Sequence, residues 1–216
     1  MLDKSKLELI NSTVFLGITI DSKLQWGPHI SSLSGRLGSA AFAVRKIRQL
    51  TDVATARLVY FAYFHCVMSY GILLWGAAAD VQSIFVLQKR AIRAIYGMGS
   101  RESLREFFKE INILTLPSLY IFENIMFVRK NIHKFTVKSD IHQINTRNKH
   151  KLVVPKFRLT KTNKSFLGNC VRFYNKLPKC ILDLTDKKFK NVVKNILIKK
   201  AYYKIQDYIN DSDAWR

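Results

Sequence analysis

From Leu58 to Ala79 the chain runs 22 residues without a Lys, Arg, Asp or Glu, and a stretch of that length and composition has to leave water, into a bilayer or into a protein core. Its polar residues choose between the two. His65 and Ser69 fall inside it, and Tyr60, Tyr63, Tyr70 and Trp75 are spread along it rather than gathered at its ends as interface anchors would be. The run therefore reads as a buried central helix of a helical domain, and a small basic membrane-associated protein is the reading that rests on this segment alone. With 216 residues, 48% of them hydrophobic, the rest of the chain has the apolar surface to build such a core.

The flanking patterns agree with a mainly α fold that begins with a short β-hairpin. Leu7 to Ile10 and Thr13 to Ile20 are rich in Val, Ile, Phe and Thr and are separated by Asn11-Ser12, which reads as two antiparallel strands with Gly17 in mid-strand. Helical spacing takes over after Gly27-Pro28, with Ile30, Leu33, Leu37, Ala41, Val44 and Ile47 on one face and Arg36, Arg45 and Arg48 off it. A second helix starts near Asp52 or Thr55 and includes the uncharged run. A third is capped by Asp80 and ended by Gly97, burying Ile84, Leu87, Ala91 and Ile95 and leaving Lys89, Arg90 and Arg93 outside. Beyond Ser103 come a short amphipathic helix with Leu104, Phe107, Phe108 and Ile111, and a helix opened by Pro117 that buries Ile121, Ile125, Val128 and Ile132. Asp140 to Thr162 reads as an exposed connector with a short strand around Leu152 to Val154. Two more helices follow, Ser165 to Lys176 and Lys187 to Tyr208, and Lys187, Lys190 and Lys194 share one face of the second.

Charge points to the partner. The chain carries 36 Lys and Arg against 15 Asp and Glu, a formal net charge of +21, which calls for a polyanion, nucleic acid before membrane. Residues 129–204 hold 21 basic and 3 acidic residues and so carry most of that surplus. Phe157, Phe166, Phe173, Tyr174, Phe189, Tyr202 and Tyr203 are interleaved with the charges there; rings presented to solvent stack on bases, but the helical spacing of Phe166 and Phe173 places them in a core. The expected contact is with phosphates, with no base-reading motif.

Catalytic chemistry is poorly represented. No two aspartates are adjacent, whereas a two-metal polymerase centre needs carboxylates that hold its ions about 3.5–4 Å apart. Asp207, Asp211 and Asp213 read as solvated, and His29 reads as a capping or packing residue. Cys66, Cys170 and Cys180 make an odd set without a Cys-x-x-Cys pair, which fits free thiols in a reducing compartment; zinc would need Cys170, Cys180 and one of His133, His142 or His150 at spacings that known fingers do not use. Behind Met1-Leu2-Asp3-Lys4-Ser5-Lys6 there is no apolar signal-peptide region, so the expected location is intracellular, cytoplasm or nucleus.

The ordered series Phe15-Leu16-Gly17-Ile18, Trp26, Pro28-His29-Ile30, Ser69-Tyr70-Gly71, Trp75-Gly76 and Leu87-Gln88-Lys89-Arg90-Ala91 resembles the C-terminal portion of a jockey-like, insect-type reverse transcriptase from a non-LTR retrotransposon. Ile113 to Tyr120 and Phe173-Tyr174-Asn175-Lys176-Leu177-Pro178 are similar to later elements of the same family. No one of these motifs is specific; their order is. The resemblance implies that Phe15, Leu16 and Gly17 belong to a primer grip at the end of the palm, residues 1–24, and that residues 25–100 form a thumb-like helical unit. It is followed by a helical continuation (101–139), the connector (140–162) and a basic helical C-terminal segment (163–216). It implies an RNA/DNA primer-template as partner; helix face and spacing, not the resemblance, nominate Arg45, Arg48, Lys89, Arg90, Arg93, Lys187, Lys190 and Lys194 to meet its phosphates. Magnesium is expected only in a complete parent polymerase that supplies palm and fingers. The expectation is a non-catalytic piece of an RNA-directed DNA polymerase; the alternative is a decayed remnant with no activity of its own.

Overall fold

The computed structural model describes residues 10–141 and 149–215. The expected strand residues Leu7, Glu8 and Leu9, and His142 of the zinc alternative, lie outside the described residues. The fold is mainly α, with a two-stranded antiparallel hairpin near the N-terminus followed by a helical bundle.

The hairpin is shorter and differently placed than the alternation suggested. Strands β1 (Ser12–Phe15) and β2 (Ile18–Asp21) both come from within Thr13 to Ile20 and its edge, paired Ser12 to Asp21 through Phe15 to Ile18. Leu16 and Gly17 are the two-residue loop between them, at φ 47° and 76°, the left-handed pair a primed turn requires. Gly17 is thus a turn residue and not a mid-strand one. All of β1 is exposed, while Ile18 of β2 is buried.

Asp21 organises the exit from the sheet. Its carboxylate accepts from the backbone N–H of Lys23, Gln25 and Trp26, so the loop closes without a side-chain cap on the helix that follows. That helix, α1 (Gly27–Leu50), has Pro28 in its first turn and buries Ile30, Leu33, Leu37, Ala40 and Val44. It packs along α5 (Val81–Tyr96), which buries Ile84, Phe85, Ala91, Ile92 and Ile95.

The uncharged run is not one helix. It begins in α2 (Val53–Val59), whose N-cap Asp52 accepts from Thr55 N at 2.8 Å. It then widens into a π turn over Tyr60–His65, tightens into α3 (Cys66–Ser69), breaks at Tyr70-Gly71 and restarts as α4 (Ile72–Trp75). Gly71 sits at φ 63°, and Ile18 of the hairpin occupies the space its Cβ would fill; the break is where the hairpin docks. Within the run Tyr60, Phe64, Met68 and Trp75 are fully buried, but Leu58, Phe61, Tyr63, Tyr70 and Leu74 are exposed, so the run buries one face and is not the wholly buried helix its lack of charge suggested; each buried side chain is worth about 1.5–3 kcal/mol of transfer free energy. Among the described residues no helix is long and apolar enough to cross a membrane.

The second half covers the first. Helix α6 (Arg105–Glu110) and the long α7 (Leu116–Lys130) follow as expected, except that Ile132 lies past the end of α7 and is exposed. After α8 (Lys138–Ile141), the expected strand near Leu152 reduces to one bridge between Val137 and Leu152. Helices α9 (Thr160–Lys164), α10 (Phe166–Tyr174) and α11 (Lys179–Leu182) lead to α12 (Asp186–Lys200). The expected helix through Tyr208 stops at Lys200, because Ala201 turns left-handed at φ 43°, and a separate α13 (Ile205–Asn210) follows. One apolar core runs from Leu37, Tyr60 and Trp75 through Phe85 and Ile125 to Phe173, Phe189 and Tyr208.

Candidate nucleic-acid interface

The two later motifs turn out to hold the fold together. Thr115 caps α7, accepting from Ser118 N, while its hydroxyl donates to Tyr202 O just past α12. In the second motif Phe173 is fully buried and accepts through its carbonyl from the Tyr208 hydroxyl at 3.0 Å. The Asn175 amide accepts from Leu152 N and donates to Leu152 O, both at 2.9 Å, taking the place of a neighbouring strand. Lys176 donates to the carbonyls of Tyr208, Ile209 and Asp211 around the C-terminal end of α13. The Asp207 to Asp213 carboxylates are structural as well: Asp211 accepts from the Tyr202 hydroxyl at 2.6 Å and pairs with Lys200 at 3.2 Å, which keeps it below the ordinary carboxylate range.

The hairpin tip is presented outward. Phe15 is 63% and Leu16 73% exposed, and the Tyr70 hydroxyl donates to Leu16 O at 2.7 Å, tying the loop to the helix break. Behind it, His29 is buried and accepts from Thr19 N at 3.3 Å; burial, helped by Arg36, lowers its pKa.

The eight basic residues expected to touch phosphates divide into two groups, and none of them pairs with a carboxylate among the described residues. Arg45 on α1, Arg90 on α5 and Lys187, Lys190 and Lys194 on α12 are exposed. Lys190 and Lys194 act on side chains across the neighbouring elements: Glu123 of α7 is raised by burial and drawn back down by Lys130 and Lys190, and His65 of the π turn is lowered by burial and by Lys194. This places one basic strip along α12 with Lys130 beside it. The other three are partly withdrawn. Arg48 donates to Ile95 O and Thr51 O, Arg93 donates to Glu102 O, and Lys89 lies over the rings of Phe85 and Tyr203, its pKa lowered chiefly by burial. Arg48 is thereby a helix-end ligand in a turn of the fold, which its spacing off the apolar face did not reveal.

Sequence reasoning also missed Gln88, a fully buried amide that donates to Tyr60 Oη and Leu114 O and accepts from Leu116 N. Only its position on the apolar stripe of α5 marks it. Among the described residues no group of three or more His, Cys, Asp or Glu is placed to hold a metal ion. The three cysteines are free thiols; Cys66 and Cys180 are exposed, and burial pushes Cys170 up to about 11.

Over 86 residues the chain is 38% identical to a probable RNA-directed DNA polymerase from transposon BS of Drosophila melanogaster, an alignment covering 38% of this chain and 10% of that protein. The chain is related to a retrotransposon reverse transcriptase. It spans about a tenth of the length of that relative. No protein-family model matches the chain, and no solved structure does.

Proposed function

We propose that this reverse-transcriptase-related chain is the grip, thumb and basic C-terminal part of a jockey-like retrotransposon polymerase, and that it binds the phosphates of an RNA/DNA primer-template without catalysing polymerisation by itself. The observation that carries this reading is the exposed row Lys187, Lys190 and Lys194 on α12, none of which forms an ion pair with a carboxylate among the described residues, in a chain of net charge +21. Arg45 and Arg90 extend the basic surface over the helical unit nearer the hairpin. Palm and fingers would come from the parent polymerase, and with them its magnesium, and the place of action is inside the cell. Fluorescence anisotropy with an RNA/DNA hybrid across a salt series tests it. Binding at low salt that falls steeply with salt supports the reading, and absence of binding at low salt refutes it. Replacing the three lysines by Gln removes up to three phosphate contacts and should flatten the slope of log K against log salt by about 2.7.

A second reading, a decayed remnant with no activity of its own, is favoured by the hairpin. Val14 and Phe15 are 68% and 63% exposed, and among the described residues neither strand has a further neighbour. Such an edge, cut off from the sheet it was built to join, promotes association between copies. If so, sedimentation at low salt shows concentration-dependent aggregates that Val14→Lys suppresses, with no RNA/DNA binding.

A further inference from the structure

On the face where α5, the start of α7 and the segment after α12 meet lies a cleft of about 320 Å³, at the lower end of the roughly 300–1,000 Å³ of small-ligand sites. Its walls are apolar, with Val81, Phe85, Leu116, Pro117 and Ile205 joined by the ring of Tyr203. Phe85 and Tyr203 stand edge to face, ring centroids 5.0 Å apart.

Cations gather on those same two rings. Lys89 Nζ lies 4.9 Å from the Phe85 centroid and 5.8 Å from that of Tyr203, and the Arg105 guanidinium lies 4.7 Å over Tyr203. Lys204 lines the cleft itself, and Arg93 acts on Tyr203 along with Arg105. The acid that acts on this ring, Glu106, is already held by Lys109 at 2.7 Å. Two polar atoms here are buried without a hydrogen-bond partner, Tyr203 Oη and Arg93 Nε, where buried polar groups are ordinarily satisfied. An aromatic-walled slot joined to positive charge and spare donors fits a flat ring that carries an anion.

We propose that this cleft binds one nucleotide, its base in the apolar slot beside Phe85 and Tyr203 and its phosphate held by Arg105, Lys89 and Lys204. Stacking attracts bases of every kind, since each has a π face. Arg105, exposed at the start of its helix, lines the adjoining cleft with Lys200, Asp207 and Asp211 and is the group that would swing round the Tyr203 ring onto the phosphate beside Lys204. The inference rests on the nucleic-acid reading for the class of its ligand, but it concerns a different surface from the α12 lysine row.

Isothermal titration calorimetry on the full chain, with adenosine monophosphate, adenosine, inorganic phosphate and a short single-stranded oligoadenylate, tests it. Adenosine monophosphate should saturate one site, with adenosine and phosphate each about tenfold weaker or worse. A gain for oligoadenylate over the monophosphate assigns the site to a strand, and no gain assigns it to the free nucleotide. Arg105→Gln removes the phosphate ligand, and Ala79→Leu, at an exposed position on the cleft wall, fills the slot without touching the core. Each should weaken the monophosphate about fivefold or more, while Ala79→Leu leaves RNA/DNA duplex anisotropy unchanged. No saturable binding of the monophosphate, or binding unchanged in either variant, overturns the inference. Loss of duplex binding in the lysine-row variant with nucleotide binding intact bears on the duplex reading only.

Discussion

His29 stands against Trp75, ring centroids 6.0 Å apart, with Nδ1 accepting from Thr19 N and Nε2 buried without a partner. The accepting Nδ1 requires the neutral ring, and a protonated ring would set donor against donor at Thr19. Burial and Arg36 hold its folded pKa below the ordinary 6.5, as burial and Lys194 do for His65. Both are therefore protonated more readily in the unfolded chain, so stability is lost as pH falls below about 6.5 toward the folded values. The urea midpoint should drop between pH 7.5 and pH 5.5, and His29→Gln should remove part of that drop, His65 keeping the rest. Gln88 offers a sharper test at the same scale. Gln88→Leu keeps the volume but leaves Leu114 O and Leu116 N buried and unpaired, a loss of about 2–4 kcal/mol by urea unfolding. His29 is the packing residue its place in the first turn of α1 suggests, though nothing local reveals its bond to Thr19, and an amide on an apolar stripe has no sequence signature of the backbone groups waiting beside it.

At the scale of elements, periodicity and punctuation found α1, α5 and α7 close to their true limits, since Pro28, Gly97 and Pro117 act on local backbone alone; Asp80 stands at the expected start of α5, but its side chain makes no capping hydrogen bond. Apolar runs without such punctuation were misjudged. The stretch from Leu58 reads as one helix because its glycines, Gly71 and Gly76, are tolerated in a helix at a modest cost; what uses Gly71 as a break is Ile18, 53 positions earlier in sequence. Gly71→Ala would put a Cβ both into the left-handed region and onto Ile18, and should cost about 1–2 kcal/mol from the backbone alone. Proteolysis of the hairpin should accelerate with it, while the helical circular-dichroism signal persists. Helix α12 ends at Ala201 for a similar reason. Tyr202 is buried and its hydroxyl engages Asp211, an interaction a continuing helix would forfeit.

For the whole molecule, the core is continuous and polar contacts pin irregular segments to it. Asn175 is the clearest of them, holding Leu152 from the segment before α9. Asn175→Ala deletes two hydrogen bonds and should cost about 2 kcal/mol, whereas Asn175→Asp keeps the acceptor, loses the donor and should fall between. Urea melts of both variants check the order. The charge surplus works against compactness as well as toward a polyanion, so added salt should raise the melting temperature of the free chain while weakening its binding to RNA/DNA.

By itself the sequence determined that the chain is a helical protein with a short hairpin at its start, that the uncharged run from Leu58 to Ala79 feeds the core, and that its surface is strongly basic, because residue type and local spacing set these; that only the Tyr60, Phe64, Met68, Ile72 and Trp75 face of the run is buried was decided by the packing. The tertiary structure alone decided which basic residues remain free and which are spent on carbonyls, where the uncharged run breaks, and that Lys89 and Arg105 come to lie over the rings of Phe85 and Tyr203. Those outcomes depend on partners 47 to 114 positions apart in the chain, and no local pattern encodes which side chain will arrive at a given carbonyl, glycine or ring.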